Sequence, residues 1–136
     1  MTRMTIRLDF DSGASIGPGK IGLLERVQET GSIRKAAEKM EMSFRQAWLL
    51  LQAIEAMFGA PLTETARGGQ GGGGTRLTEL GSWVVAHYRE LERVAADAAA
   101  SQMSALGVRV RPTLASPKSA QKKPIKRRIL KTKKKN

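Results

Sequence analysis

The hydrophobic and polar positions of residues 31–48 predict two short helices joined by a tight turn. Gly31 can end a preceding helix, and Ser32 can cap the first of the two. Apolar residues of this first helix recur at i, i+3, i+4 and i+7, which marks one helix face: Ile33, Ala36, Ala37 and Met40. After the turn, Ser43 and Gln46 have the spacing of a capping box, which starts another helix. The pattern is typical of a helix-turn-helix.

The pattern on the amino-terminal side predicts a strand and one more helix. Residues 5–10 alternate apolar and polar side chains, as a half-buried strand does, and residues 11–15 have the composition of a loop. The helix begins with Pro18 at its first position, where a missing N–H costs nothing, and it ends at Gly31. Its buried stripe comprises Ile21, Leu24 and Val27, with Leu23 beside it.

The pattern on the carboxyl-terminal side predicts a longer third helix, a hairpin and a last helix. The third helix spans residues 43–58, and Pro61 prevents its continuation. Its core positions are Ala47, Leu51, Ile54 and Phe58. Extended segments on both sides of a glycine-rich run predict a hairpin over residues 62–77, although the seven-residue run 68–74 is a long connection.

The last helix is predicted over about residues 78–100, with Thr78 as its cap. So long a helix in so small a domain cannot bury its whole apolar stripe, and a coiled-coil-like contact with a second copy would cover it. The predicted dimerisation residues are Leu80, Val84, Tyr88 (or His87), Leu91 and Ala95. The fold class is mainly α with a small β-hairpin, a winged helix-turn-helix with a long carboxyl-terminal dimerisation helix.

The charge is concentrated at one end of the chain. The net charge is +12, yet residues 1–100 hold equal numbers of basic and acidic residues. Residues 101–136 hold 12 basic residues and no acidic ones, with prolines and few apolar side chains. Such a composition cannot bury enough surface to offset its ordering entropy, so we predict a disordered basic tail after a folded domain over 1–100. Any DNA affinity of the folded domain must come from locally placed charges.

The composition also narrows the chemistry. The chain has no cysteine, no apolar run near the roughly 20 residues of a membrane span and no signal-peptide core. The expectation is a cytoplasmic protein without a membrane partner. The glycine run lacks the Lys-Ser/Thr of a phosphate loop, and His87 has no acidic or nucleophilic partner at a recognisable spacing. No enzyme activity, metal site or cofactor is predicted.

Two sets of apolar side chains leave alternatives open. Trp48 and Trp83 are expected in the core rather than against nucleic-acid bases. The run Leu49-Leu50-Leu51 cannot face inward as a whole. Leu51 has core spacing, so Leu49 or Leu50 lies toward solvent or DNA, where a thymine methyl or another protein could cover it.

A set of short motifs gives a more specific indication. The motifs are Gly31-Ser32-Ile33, Ala36-Ala37, Met42-Ser43, Ala47-Trp48, Glu55, Leu62-x-Glu64, the run Gly-Gly-Gln-Gly-Gly-Gly-Gly at 68–74, Leu77-Thr78 and Gly81. Together they resemble the amino-terminal DNA-binding domain of ModE-type, molybdate-responsive regulators over about residues 17–92. The helix-turn-helix also resembles the wider LysR-type family. The glycine run with Ala47-Trp48 upstream is the most specific part.

The resemblance implies a dimeric winged helix that binds a palindromic promoter site in double-stranded DNA. Helix 43–58 would read bases, the helix before it would approach phosphates, and the wing 62–77 would lie along the backbone. The predicted DNA-binding residues are Ser32, Arg34, Lys35, Ser43, Phe44, Arg45, Gln46, Arg67, Gln70 and Arg76.

The chain departs from the family pattern in two places. Full ModE-type regulators continue into molybdate-binding β-barrel modules, whereas residues 101–136 are lysine-rich, so molybdate sensing is not expected except through a separate effector-domain partner. In the LysR pattern Leu-Phe-x-Arg, Thr63 replaces the phenylalanine and Thr65 replaces the arginine, so a phosphate contact from position 65 is not expected. Two alternatives stay open: an architectural DNA-binding protein with little sequence readout, and a protein–protein module with an interface at Leu49 or Leu50.

Overall fold

The computed structural model describes residues 2–66 and 74–111, where the elements are two small hairpins and four helices. In chain order they are β1 (Leu8–Asp9), β2 (Ser15–Ile16), α1 (Pro18–Thr30), α2 (Ile33–Lys39), α3 (Phe44–Phe58), β3 (Thr63–Ala66), β4 (Gly74–Leu77) and α4 (Glu79–Arg109). Residues 3–100 form one compact unit, and the remaining described residues belong to a second. No helix in the described ranges is long and apolar enough to cross a membrane.

The amino-terminal strand is shorter than predicted. β1 pairs antiparallel with β2, with Leu8 opposite Ile16, and each strand has two residues. Ser15, predicted in a loop, is therefore paired, and only Leu8–Asp9 of the predicted strand 5–10 is a strand. Alternation of apolar side chains indicates a half-buried face, but a strand also needs a hydrogen-bonding partner of matching length.

The predicted ends of α1 and the start of α2 are confirmed. Pro18 is the first residue of α1. Gly31 adopts the left-handed conformation at φ 74°, and its N–H donates to the Val27 carbonyl at 2.8 Å. The Ser32 hydroxyl oxygen then accepts the Lys35 N–H at 3.0 Å and caps α2. One glycine thus closes α1 and lets the chain turn directly into α2.

The capping box of α3 is also confirmed. Ser43 Oγ accepts the Gln46 N–H at 3.0 Å, and Gln46 Oε1 accepts the Ser43 N–H at 3.3 Å. α3 ends at Gly59, which is left-handed at φ 69°. Of the four predicted core positions, Phe58 is only partly buried. The fully buried ones are Ala47, Leu51 and Ile54.

The core of residues 3–100 lies where α1 meets the other helices and Leu62. Its largest fully buried side chains are Ile21, Leu23, Leu24, Val27, Ile54 and Leu62. Tyr88 on α4 is also buried, and its hydroxyl donates a hydrogen bond to the Ile6 carbonyl, which fixes the amino-terminal segment to α4. A bidentate pair between Arg89 and Glu25 joins α4 to α1 at 2.8 and 3.0 Å. Hydrogen bonds from Arg89 hold the pKa of Glu25 below its ordinary value, against the opposing effect of partial burial.

The second hairpin has the predicted strands and is fixed to the junction of α1 and α2. β3 and β4 pair antiparallel, from Thr63 opposite Leu77 to Ala66 opposite Gly74. The Thr75 N–H donates to the Gly31 carbonyl at 2.9 Å. Residues 67–73, which contain most of the glycine run, lie outside the described residues. The strand β4 is therefore held by the same glycine that closes α1.

α4 begins as predicted but ends later. Thr78 Oγ1 accepts the Gly81 N–H at 3.1 Å, which is the predicted cap. The predicted end near residue 100 is wrong, since the helix continues to Arg109. Residues 101–109 contain no proline and several good helix formers, and the first proline after them is Pro112. The rest of the predicted tail, 112–136, lies outside the described residues, and the division into domain and tail stays a prediction.

Candidate nucleic-acid interface

α2 and α3 meet through small side chains and a tight turn. Ala36, Ala37 and Ala47 are buried, so the two helices can approach closely. In the turn between them Glu41 has φ 57°, and the Met42 N–H donates to the Ala37 carbonyl at 3.0 Å. These local bonds fix the start of α3 relative to α2, which is the geometry that a helix-turn-helix needs.

The turn brings most of the predicted DNA-binding residues together. Ser32, Arg34 and Lys35 lie at the start of α2, and the segment 43–46 lies at the start of α3. The Arg34 guanidinium lies 4.7 Å from the centroid of the Phe44 ring, a cation–π contact that joins the two groups. In the capping box of α3, the side-chain oxygen of Gln46 already accepts the Ser43 N–H. A DNA contact from Gln46 would therefore come from its amide nitrogen.

The exposed face of α3 combines one cation with apolar side chains. The exposed residues at i, i+3, i+4 and i+7 are Arg45, Trp48, Leu49 and Gln52. Leu49 is 47% exposed, whereas Leu50 packs partly buried against the core and Leu51 is buried. The structure thus selects Leu49 as the leucine that faces outward.

The expectation that both tryptophans belong to the core is wrong. Trp48 is 45% exposed and Trp83 is 53% exposed. Each lies one residue from a buried position, Ala47 and Val84 respectively, and one residue on a helix is a rotation of about 100°. Trp83 stacks on exposed His87 with ring centroids 4.0 Å apart, and His87 Nδ1 lies 2.9 Å from the Trp83 carbonyl oxygen.

Most arginines outside the helix-turn-helix form ion pairs with carboxylates. The pairs are Arg7–Asp9, Arg26–Glu29, Arg76–Glu64, Arg89–Glu25 and Arg93–Glu90. Arg3 and Lys20 also lie outside the helix-turn-helix and have no such pair among the described residues. Within the described residues, no carboxylate oxygen lies within 4.0 Å of the cations on α2 and α3: Arg34, Lys35, Lys39 and Arg45. Residues 32–58 hold these four basic residues and three acidic ones, Glu38, Glu41 and Glu55, so the helix-turn-helix has a net charge of +1 in a domain that is neutral overall.

The wing residues are only partly described. Arg76 on β4 is exposed, and its guanidinium pairs with Glu64 across the hairpin at 2.8 Å. Arg67 and Gln70 lie outside the described residues. Thr65, which replaces the arginine of the LysR pattern, has its hydroxyl 3.3 Å from that of Thr75. The described part of the candidate interface therefore consists of α2, α3 and the two strands of the wing.

Two of the predicted dimerisation residues are buried within their own chain. Val84 and Tyr88 are each 4% exposed, because both belong to the core of their own chain, and they cannot supply an outer contact surface. Leu80, Leu91 and Ala95 are partly buried. The exposed large apolar side chains of α4 within residues 3–100 are Trp83 and Val94.

In the parts of the chain that are described, no group of three or more His, Asp or Glu side chains could hold a metal ion.

The three helices α1–α3, the hairpin β3–β4 and the helix after it define a winged helix-turn-helix domain. The model of the lysR family of bacterial regulatory helix-turn-helix proteins matches residues 19–82. This segment is therefore a LysR-type helix-turn-helix domain.

Relatives of ModE type match the same part of the chain. The molybdenum transport protein ModE of Azotobacter vinelandii is 39% identical over 85 residues, which are 62% of this chain and 32% of that protein. The transcriptional regulator ModE of Haemophilus influenzae is 34% identical over 92 residues, 68% of this chain and 36% of that protein. The resemblance to ModE-type regulators is thus confirmed, and the chain spans about a third of the length of these relatives.

A solved structure shares the fold. The chain in the crystal structure of a CbnR_DBD–DNA complex superposes with a TM-score of 0.51 and 23% identity, covering 64% of this chain and 94% of that one. This likeness confirms the predicted fold class.

Proposed function

We propose that the protein is a transcription regulator that recognises specific sites in double-stranded DNA through α3. The observation that carries the proposal is the cluster of cations on α2 and α3 that have no carboxylate partner among the described residues. Phosphates flanking the major groove would supply the missing negative charge. As DNA is the target, the protein would act in the cytoplasm.

The predicted residues then divide by role. Arg45 and Gln46 would reach base edges from the first turn of α3, and Arg34 and Lys35 would contact phosphates from α2. Arg76 would approach the backbone from the wing, together with Arg67 and Gln70. Its exposed pair with Glu64 is no obstacle, since such pairs contribute at most about 1 kcal/mol.

Replacing Arg45 by alanine should weaken binding to a cognate site by about 1–3 kcal/mol, because a bidentate base contact is lost. Fluorescence anisotropy with a labelled cognate duplex measures the change at fixed salt. Arg7→Ala is the matched control, since it removes the same charge from an exposed position outside the proposed interface. An equal loss for Arg45→Ala on cognate and random DNA would reduce this residue to a phosphate contact.

We also propose that the protein is a homodimer that pairs through α4 and binds a palindromic site. The support is a mainly apolar and at least partly exposed edge of α4, which repeats at three- and four-residue intervals as a coiled-coil seam does. Its members within residues 3–100 are Leu80, Trp83, His87, Leu91, Val94 and Ala98. Compared with the predicted set, Trp83, His87 and Val94 replace Val84, Tyr88 and Ala95.

Val94→Glu should shift the protein from dimer to monomer, because it places a charge in the apolar seam. Val94 is half exposed in the single chain, so folding should be preserved. Ala86→Glu is the control, since Ala86 is exposed on the other edge of the same helix. Sedimentation equilibrium measures both variants. A dimer that persists in Val94→Glu, or an equal effect of both variants, would contradict this seam.

A further inference from the structure

We propose that Trp48 and Leu49 read thymine by contact with its C5-methyl group, and that they determine the specificity of the site together with Arg45. The inference rests on the proposed function, since it requires α3 to lie in the major groove. It gives a role in base recognition to the exposed apolar side chains of α3, which cannot contact bases through the side-chain hydrogen bonds available to Arg45 and Gln46.

Trp48 and Leu49 form an apolar patch that no described part of the chain covers. They are 45% and 47% exposed, and they lie three and four residues after Arg45 on the same exposed face. The core needs neither of them, because Ala47 and Leu51 fill the inward positions of this part of α3. Two adjacent large apolar side chains on one outward face indicate a contact surface.

The charges around the patch favour DNA over a protein as the occupant. From Phe44 to Ile54 the only charged residue of α3 is Arg45, and the first carboxylate is Glu55 in its last turns. The neighbouring cations of α2, Arg34 and Lys35, have no described carboxylate within 4.0 Å. Glu38 and Glu41 are also exposed near these cations but form no ion pair with them. An apolar strip beside cations without an ion-pair partner complements the groove of DNA, where bases are flanked by phosphates.

The chemistry of the major groove then identifies the base. The C5-methyl of thymine is the apolar group that base pairs present there, whereas the other edges are hydrogen-bond donors and acceptors. Arg45 is suited to guanine O6 and N7. Because Arg45 and Leu49 are one helical turn apart, about 6 Å along the axis, the thymine should lie within about two base pairs of that guanine.

The experiment replaces each thymine of a selected binding site, one at a time, by deoxyuridine. This change removes only the methyl group and keeps base pairing. Affinities are measured by anisotropy for the wild type, Trp48→Ala, Leu49→Ala and Phe10→Ala. Phe10 is the matched control, because it is an aromatic residue with 42% exposure outside the helix-turn-helix.

We expect deoxyuridine to weaken wild-type binding about fourfold at one or two positions in each half-site, the value of one buried methyl group. At those positions Trp48→Ala or Leu49→Ala should bind thymine and deoxyuridine sites equally, while Phe10→Ala should keep the wild-type ratio. Because each ratio compares two duplexes with the same protein, a partly unfolded variant does not change it.

Four contrary outcomes are distinguishable. Wild-type protein that binds a specific site but tolerates deoxyuridine at every position would overturn the inference and leave the proposed function intact. Discrimination that persists in both alanine variants would also overturn it. Absence of any preferred site would reject the proposed function itself. Unchanged DNA binding by Trp48→Ala and Leu49→Ala would assign the patch to a protein partner instead.

Discussion

Replacing Gly81 by alanine should lower the free energy of unfolding by about 3 kcal/mol or more, because a side chain would be forced into backbone. A Cβ at this position would overlap the carbonyl oxygen of Leu62 and lie 3.3 Å from Leu77 Cβ. A backbone carbonyl cannot rotate away as a side chain can. Chemical denaturation followed by circular dichroism measures the change, and the unfolding midpoint should fall.

The chain offers a matched control for this substitution. Gly19 is also helical, in the first turn of α1, and no atom lies within 4 Å of a Cβ built there. Gly19→Ala should leave stability unchanged or raise it by up to about 1 kcal/mol, because alanine favours helix. Equal stability of the two variants would contradict the close approach of α4 to the segment that enters the wing.

Truncation after Arg111 should produce the largest change in DNA binding. It removes ten of the chain's 24 basic residues and no acidic one. If half of the removed charges neutralise phosphates, the slope of log K against log salt should flatten by about 4.5 units, at about 0.9 unit for each phosphate. Affinity at low salt should fall for cognate and random duplexes alike, since such contacts do not depend on sequence.

The prediction for the truncation has a matched control and can be contradicted by two results. A full-length variant with glutamine at the ten removed lysine and arginine positions keeps the chain length and should behave like the truncation. A slope unchanged by truncation would remove residues 112–136 from DNA binding. A loss of preference for the cognate site would show that residues 112–136 contribute to selectivity, and not only to affinity that is independent of sequence.

Local features of the helix-turn-helix could be predicted from the sequence. A cap depends on residues within one turn, so Ser32, Ser43 with Gln46, and Thr78 predict their helix starts directly. The same holds for Gly31 and Gly59, whose left-handed conformations need no long-range contact. The order of elements, and hence the winged helix-turn-helix, could be read from these signals.

Features that depend on the rotation of a helix against its neighbours could not be predicted in the same way. On α3 the spacing left Leu49 and Leu50 equivalent, and the packing against α1 and α2 decides that Leu49 faces outward. On α4 an error of one residue, about 100° of rotation, placed Val84 and Tyr88 in the dimer seam rather than in the core. The bond from Thr75 to Gly31 joins residues far apart in sequence and has no local signal at all.

The charges of the candidate interface were only partly predictable. The sequence shows that residues 1–100 are neutral, but it does not show which arginines have carboxylate neighbours. Pairs such as Arg89 with Glu25 form between different helices and require the fold. Only after these pairs are assigned does the positive character of Arg34, Lys35 and Arg45 become visible.

The most direct test of the central claim is selection of bound fragments from bacterial genomic DNA by the purified full-length protein, at moderate salt, with and without molybdate. We predict a few enriched fragments that share one two-fold symmetric motif, with thymine near guanine in each half-site. Molybdate should leave this set unchanged. Even coverage of the genome without a shared motif would indicate an architectural protein, and no retention of DNA at low salt would contradict DNA binding altogether.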